Sequence, residues 1–213
     1  MVSGRNRANP LALAILTCLH ERPMHPYEVA QTLRSRAKHE SIRLNFGSLY
    51  SVVEGLTARG LIEPRETVRE GKRPERTVYE ITPLGRRELT DWLSELVSTP
   101  VKEFLQFEAA LSLLPGLAPD DALDLLRNRA TALEIQVRQS EATAALARDH
   151  GLPRLFMLEN EYGDALLRAE LEFVRGLVDD LENDKLDGLD EWRGWYVDDT
   201  EPRQWFPTEE SER

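Results

Sequence analysis

Asn45-Phe46-Gly47-Ser48-Leu49-Tyr50-Ser51-Val52-Val53-Glu54-Gly55-Leu56-Thr57-Ala58-Arg59-Gly60-Leu61-Ile62 reads as a short helix that starts at a capping residue and stops at a glycine. Leu49, Val52, Val53 and Leu56 recur at helical spacing and form an inward stripe, which leaves Ser48, Tyr50, Ser51 and Glu54 facing outward. Asn45 suits the N-cap, and Gly60 suits the left-handed position that ends a helix. Two strands are predicted directly after it, over residues 61–68 and 76–81, with a charged turn between them. A helix running into a basic hairpin is the plan of a winged helix-turn-helix.

Upstream, residues 10–20 predict a first helix that is apolar on most faces, stopped by Glu21-Arg22-Pro23. Pro26 suits the first position of a second helix, which carries Tyr27, Val29, Ala30 and Leu33 inward to about residue 37. The second and third helices are the helix-turn-helix pair. Pro64 cannot donate to a ladder, so its strand is expected at an edge, while Tyr79 and Ile81 share one face of the returning strand. Thr82-Pro83 then opens a fourth helix with Leu84, Leu89, Trp92, Leu93 and Leu96 as its apolar positions.

Beyond Pro100 the pattern changes. Residues 101–114 predict a short apolar helix closed by Pro115-Gly116. Leu123, Leu126, Ala130, Leu133, Val137, Ser140, Ala144 and Ala147 then alternate spacings of three and four, a coiled-coil seam. Gly151-Leu152-Pro153 breaks it, and a second long helix follows over about 154–181, with Leu158, Tyr162, Leu166, Ala169, Phe173, Leu177 and Leu181 as its expected seam. Two long helices joined by a tight turn make an antiparallel hairpin. Its remaining apolar residues, including Phe156, Leu167 and Leu171, are left uncovered unless a second chain covers them. The fold class expected is therefore mainly α: a winged helix-turn-helix head over 1–97 with a two-stranded wing, long antiparallel helices over 98–183 forming a coiled-coil dimer interface, and an acidic tail over 184–213 holding Trp192, Trp195, Tyr196, Trp205 and Phe206. Part of that tail is expected to dock.

The net charge of −11 argues at first against a nucleic-acid partner, but it is segregated. Residues 1–90 hold 15 Lys+Arg against 10 Asp+Glu, a surplus of +5, whereas residues 91–213 hold 12 against 28, or −16. The positive half is the one that contains the helix and hairpin. No apolar run approaches the roughly 18 residues a membrane span needs, and the N-terminus lacks the apolar core of a secretory signal, so a cytoplasmic location and no membrane partner are expected. The single cysteine, Cys18, lies in an apolar run and reads as a buried small hydrophobe.

Several motifs together carry a resemblance. Met24-His25-Pro26-Tyr27-Glu28-Val29, Gly47-Ser48-Leu49-Tyr50, Gly60-Leu61-Ile62 and Tyr79-Glu80-Ile81-Thr82-Pro83-Leu84-Gly85 resemble the PadR family of bacterial transcriptional regulators over about residues 10–92, in order and spacing as well as residue type. The later helices resemble the long C-terminal dimerisation region of the larger, virulence-activator-like subfamily. Pro26 stands where the family often has glycine, and Ser51 where it often has proline after the tyrosine. The resemblance implies a homodimer on a palindromic promoter site in double-stranded DNA, usually a repressor and sometimes released by a small-molecule effector.

The residues carry the same expectation on their own. A third helix in a major groove presents about four side chains to base edges, and a basic wing reaches phosphates or the minor groove of the same site. Ser48, Tyr50 and Ser51 are the candidate base contacts; Lys72, Arg73 and Arg76 on the hairpin, Arg43 and Lys38 before the helix, and Tyr27 at the start of the second helix complete the set. Trp92, Phe104 and Phe107, near the junction of head and tail, are the candidate effector contacts, with core packing as their competing role. His20, His25, His39 and His150 have no spacing that brings two onto one helical face, so no metal site is expected. Asp120-Asp121 falls in a first helical turn, where the helix dipole favours it structurally. With no nucleophile elbow or phosphate loop, the sequence reads as no enzyme and calls for no cofactor. The alternative is a non-enzymatic adaptor that keeps the winged-helix head and binds a basic partner through its acidic coiled-coil tail; the basic wing argues against it, since an adaptor does not need one.

Overall fold

Asn9 and Pro10 set the entry to the first helix: the Asn9 side chain accepts from the Leu11 N–H at 3.1 Å, and proline takes the first helical position. The structure, a computed structural model, describes residues 9–38, 41–42, 46–68 and 76–196, and the chain divides into two units, one to Lys102 and one from Glu103. In the first unit α1 (Pro10–Glu21) is central, as its all-round apolar pattern predicts: Leu11, Ala12, Ala14, Ile15, Leu16, Cys18 and Leu19 are all buried.

Burial pushes the Cys18 thiol up to about 11, so almost none of it is thiolate at neutral pH. Cys18 should therefore resist a thiol reagent at pH 7 in the native protein and react fully in denaturant. Rapid native labelling would show that the core of the head opens.

Helix α2 (Pro26–Ser35) is fixed by a reciprocal cap: His25 Nδ1 accepts from the Tyr27 N–H at 3.1 Å, and the His25 N–H donates to Glu28 at 2.8 Å. It stops before the expected residue 37 because Ala37 adopts φ 55, a left-handed conformation that cannot continue a right-handed helix. Helix α3 (Phe46–Ala58) ends as predicted. Gly60 takes φ +67, its N–H donates to the Thr57 carbonyl at 2.9 Å, and the Leu61 N–H donates to the Leu56 carbonyl at 3.0 Å, a Schellman closure. Asn45, the expected cap, lies outside the described residues.

Strands β1 (Ile62–Val68) and β2 (Arg76–Ile81) pair antiparallel, with Ile62 opposite Ile81 and Pro64 opposite Tyr79. The register shifts between Pro64 and Glu66, a bulge at the residue that cannot donate. Met24 bridges the other side of β2 through two backbone hydrogen bonds with Tyr79, 3.1 and 3.0 Å, so the proline strand is the edge, as predicted. Helix α4 (Pro83–Ser98) buries Gly85, Glu88, Leu89 and Trp92. Leu84, Leu93 and Leu96, expected to face inward with Leu89 and Trp92, are exposed instead, because the buried stripe at spacing three and four runs through the glycine and the glutamate.

In the second unit the helix expected from residue 101 starts later: α5 covers Gln106–Ser112, and residues 101–105 are exposed and non-helical, with no apolar face buried that would support a turn. Helices α6 (Pro119–Asp149) and α7 (Leu158–Glu182) form the antiparallel hairpin. On α6 the predicted seam is correct, with Leu126, Ala130, Leu133 and Val137 buried. On α7 it is not. The face that meets α6 runs through Met157, Leu171, Val174 and Leu181, with Asn160, Asp164, Leu167 and Val178 half-buried on the same stripe, whereas Leu158, Tyr162, Leu166, Ala169 and Phe173 are exposed. Leu167 and Leu171, expected to lack cover, are inside. Ion pairs flank the seam along its length: Arg127 with Glu182 at 2.7 Å, Arg175 with Glu134 at 2.6 Å and Arg168 with Glu141 at 2.6 Å. Short helix α8 (Leu189–Gly194) docks into this core, Trp192 donating its indole N–H to the Leu117 carbonyl at 2.9 Å and Tyr196 its hydroxyl to the Pro115 carbonyl at 2.8 Å.

Candidate nucleic-acid interface

Helix α3 has two faces. Leu49, Val53 and Leu56 are buried in the core of the head, and Gly47, Tyr50, Ser51, Glu54, Gly55 and Ala58 are exposed. The exposed set covers about three turns at spacing three and four, so it forms one continuous strip. Tyr50 is 46% exposed and presents its ring and hydroxyl from the strip. The Ser51 hydroxyl donates to the Ser48 carbonyl at 3.0 Å, which spends its proton within the helix and leaves its oxygen as an acceptor. Ser48 is half-buried at the flank. Tyr27, expected to face inward with Val29, Ala30 and Leu33, is instead 45% exposed on the first turn of α2.

The far end of α3 is held to α4 by a dense set of contacts. Thr82 Oγ1 donates to the Gly60 carbonyl at 2.7 Å while it accepts from the Gly85 N–H at 3.0 Å, so one hydroxyl caps α4 and ties it to the turn after α3. Arg59 reaches the buried Glu88 at 3.0 Å. These partners were not legible as a pair, being 29 residues apart.

Most cations of the described head are already matched. Arg36 is hydrogen-bonded to Glu21 and holds that carboxyl below its ordinary value; Arg22 lies 4.0 Å from Glu28, Arg65 lies 3.7 Å from Glu80, and Arg86 contacts His20. In sequence the hairpin holds Arg69, Lys72, Arg73 and Arg76 against Glu70 and Glu75, a surplus of +2 of the +5 carried by residues 1–90. Lys72, Arg73 and Arg43 lie outside the described residues; Arg76 opens β2 opposite Val68, and its side chain also lies outside them.

The three effector candidates separate. Trp92 is 2% exposed in the core of the head, with its indole N–H unpaired among the described residues. Phe107 packs against the core of the second unit under the Arg129 guanidinium, 3.7 Å from its ring centroid. Phe104 is exposed. Among the described residues no group of three His, Cys, Asp or Glu side chains is placed to hold a metal, and no helix is long and apolar enough to cross a membrane.

Sequence and fold comparisons agree with this geometry. Residues 15–91 match the Transcriptional regulator PadR-like family, a span from α1 to α4 that includes the whole helix-turn-helix and wing. The fold is similar to that of Bacillus subtilis PadR in complex with operator DNA, with a TM-score of 0.67 and 18% identity over 81% of this chain and 99% of that one. It is also similar to Bacillus subtilis PadR in complex with p-coumaric acid (TM-score 0.62, 16% identity, 81% and 95% covered) and to the PadR-like regulator BC1756 from Bacillus cereus (TM-score 0.56, 18% identity, 82% and 99% covered). At these identities the structural likenesses establish the fold, winged-helix head and long helices together. Among curated proteins none matches the chain in sequence.

Proposed function

We propose, for a chain whose residues 15–91 are a PadR-like transcriptional-regulator domain, that the protein is a sequence-specific DNA-binding repressor acting as a homodimer on a pseudo-palindromic promoter site in the cytoplasm. The exposed strip of α3 is the observation that carries this reading. A helix is an element that a major groove admits, the strip's residues are small or hydrogen-bonding, and its opposite face is committed to the core. The basic hairpin, with Lys72, Arg73 and Arg76, supplies phosphate contacts that position the helix without reading sequence.

In the division of labour we propose, the head over 1–97 reads DNA and the helices over 98–183 pair two copies. Two recognition helices related by a dyad enter successive major grooves, roughly 34 Å apart, which sets the half-site spacing at about one helical turn or a multiple of it. A small-molecule effector that releases the DNA completes the proposal, supported by the similarly folded Bacillus subtilis PadR solved with p-coumaric acid. For such a ligand Phe104 offers an exposed ring, whereas Trp92 and Phe107 are committed to the two cores.

Selection of bound duplexes from a random pool, followed by footprinting, tests the reading. The wild-type protein should select an inverted repeat. Tyr50→Ala and Ser51→Ala should each weaken binding to that repeat by roughly 1–3 kcal/mol and leave the salt-driven binding to random DNA nearly intact. Equal losses on both DNAs would make Tyr50 a structural residue, and a wild-type protein that selects nothing would favour the adaptor reading.

A further inference from the structure

Helix α3 spans FGSLYSVVEGLTA, and its only charged residue is an acid, Glu54. The side chain is exposed on the same strip as Tyr50 and Ser51, four and three positions on, and its carboxylate pairs with no cation among the described residues. Arg59, the nearest following cation in sequence, is engaged by Glu88 at 3.0 Å and is not its partner. An unpaired carboxylate on a surface that approaches DNA is unfavourable twice over, since the phosphates repel it and its desolvation in the groove goes uncompensated.

Only certain groups in the groove reverse that balance. The major-groove edges of guanine and thymine offer acceptors and a methyl group, which a carboxylate cannot use; cytosine offers the N4 amino group and adenine the N6 amino group. Cytosine is the better partner, because adenine places the N7 acceptor beside its donor, where it opposes the second carboxylate oxygen. The neighbours of Glu54 allow the approach. Gly55 and Ala58 lie on the same strip, and a Cβ built at Gly55 would meet nothing within 4 Å, so no packing contact within the protein calls for a glycine there. Glu54 stands four residues beyond Tyr50, about 6 Å along the axis, and so reaches a base pair one or two steps further along the site.

We infer that Glu54 is a specificity-determining residue, accepting a hydrogen bond from the exocyclic amino group of one cytosine in each half-site and disfavouring all other DNA by its charge. The inference rests on the DNA-binding reading of α3 and goes beyond it by assigning a base.

The test is selection from a random duplex pool by the full-length wild-type, Glu54→Gln and Glu54→Ala proteins, followed by competition titration of the selected site against random duplex. The wild type should select cytosine at one position per half-site, and replacing that cytosine should cost about tenfold in affinity, the lower part of the range for a base-edge contact. Glu54→Gln should shift the position toward adenine, Glu54→Ala should leave it degenerate, and both should bind random duplex more tightly than the wild type. Because the side chain is exposed, thermal melting of the variants should match the wild type. The same selected base with the same penalty in Glu54→Ala, or an equal loss on every duplex, would overturn the assignment and leave the DNA-binding reading standing. A wild-type protein that selects no sequence would overturn both.

Discussion

Gly85→Ala should unfold the head or leave it marginal, a loss of about 3 kcal/mol or more, the upper end of what overpacking costs. A Cβ built on Gly85 would lie 2.0 Å from the Leu61 carbonyl oxygen and 2.8 Å from Cγ1 of Ile81. The first obstacle is backbone and cannot rotate away. That same carbonyl accepts from the Thr82 N–H at 3.0 Å, so moving it pulls on the residue that caps α4. Relief therefore requires α4 to slide off the turn that ends α3. Gly55→Ala is the control: it meets open space within the protein, and the alanine should stabilise α3 by about 0.5–1 kcal/mol. Urea unfolding of both variants decides the point, and a Gly85→Ala protein as stable as the wild type would mean that α4 is not seated as described.

The contrast between these glycines shows which part of the fold a sequence carries and which it does not. The head was legible because its signals are local. Pro10, the His25-Pro26 cap, Gly60 and Thr82-Pro83 each fix an element boundary within a few residues, and the structure places a boundary at each of them. Gly85 and Gly55 look alike in sequence; only the carbonyl of Leu61, 24 positions away from Gly85, makes one obligatory. Glu88 was hidden for the same reason, its partner Arg59 being in the turn after α3, 29 residues away.

The second unit shows a different failure. Helix α7 carries two stripes, and hydrophobicity favours the outer one, with Leu158, Tyr162, Leu166 and Phe173, over the inner one, which passes through Asn160 and Asp164. Periodicity ranks stripes by their own composition, whereas packing ranks them by the partner. Near the hairpin tip α6 offers Ser140 and Ala144, and these line a cleft of about 490 Å³ with Asn160 and Asp164. Further from the tip Leu171, Val174 and Leu181 meet Leu126, Leu133 and Val137. The outward face of α3 was legible in part: Tyr50, Ser51 and Glu54 follow from the helical period and are exposed, whereas Ser48 is half-buried.

The misplaced stripe bears directly on the assembly. Leu166→Glu combined with Phe173→Glu should convert the protein from dimer to monomer without unfolding the α6–α7 pair. Tyr162, Leu166 and Phe173 are 68%, 54% and 53% exposed, and with Leu158 and Phe156 they extend along one side of α7. A contiguous apolar face of this kind on a helix already buried along another face marks a protein interface. A second copy offers the same face, and a twofold arrangement covers both at once. Two carboxylates placed in that contact cannot be buried unpaired, so association should weaken by roughly 4 kcal/mol or more, about a thousandfold. Sedimentation at micromolar concentration should show a wild-type dimer and a variant monomer with unchanged helix content. Leu171→Glu, at a buried seam position, should instead disrupt the hairpin itself. Operator binding by the monomer should fall to that of a single half-site, because the second helix no longer arrives with the first. A monomeric wild type, or a doubly substituted protein that still dimerises, would show that this stripe has another purpose.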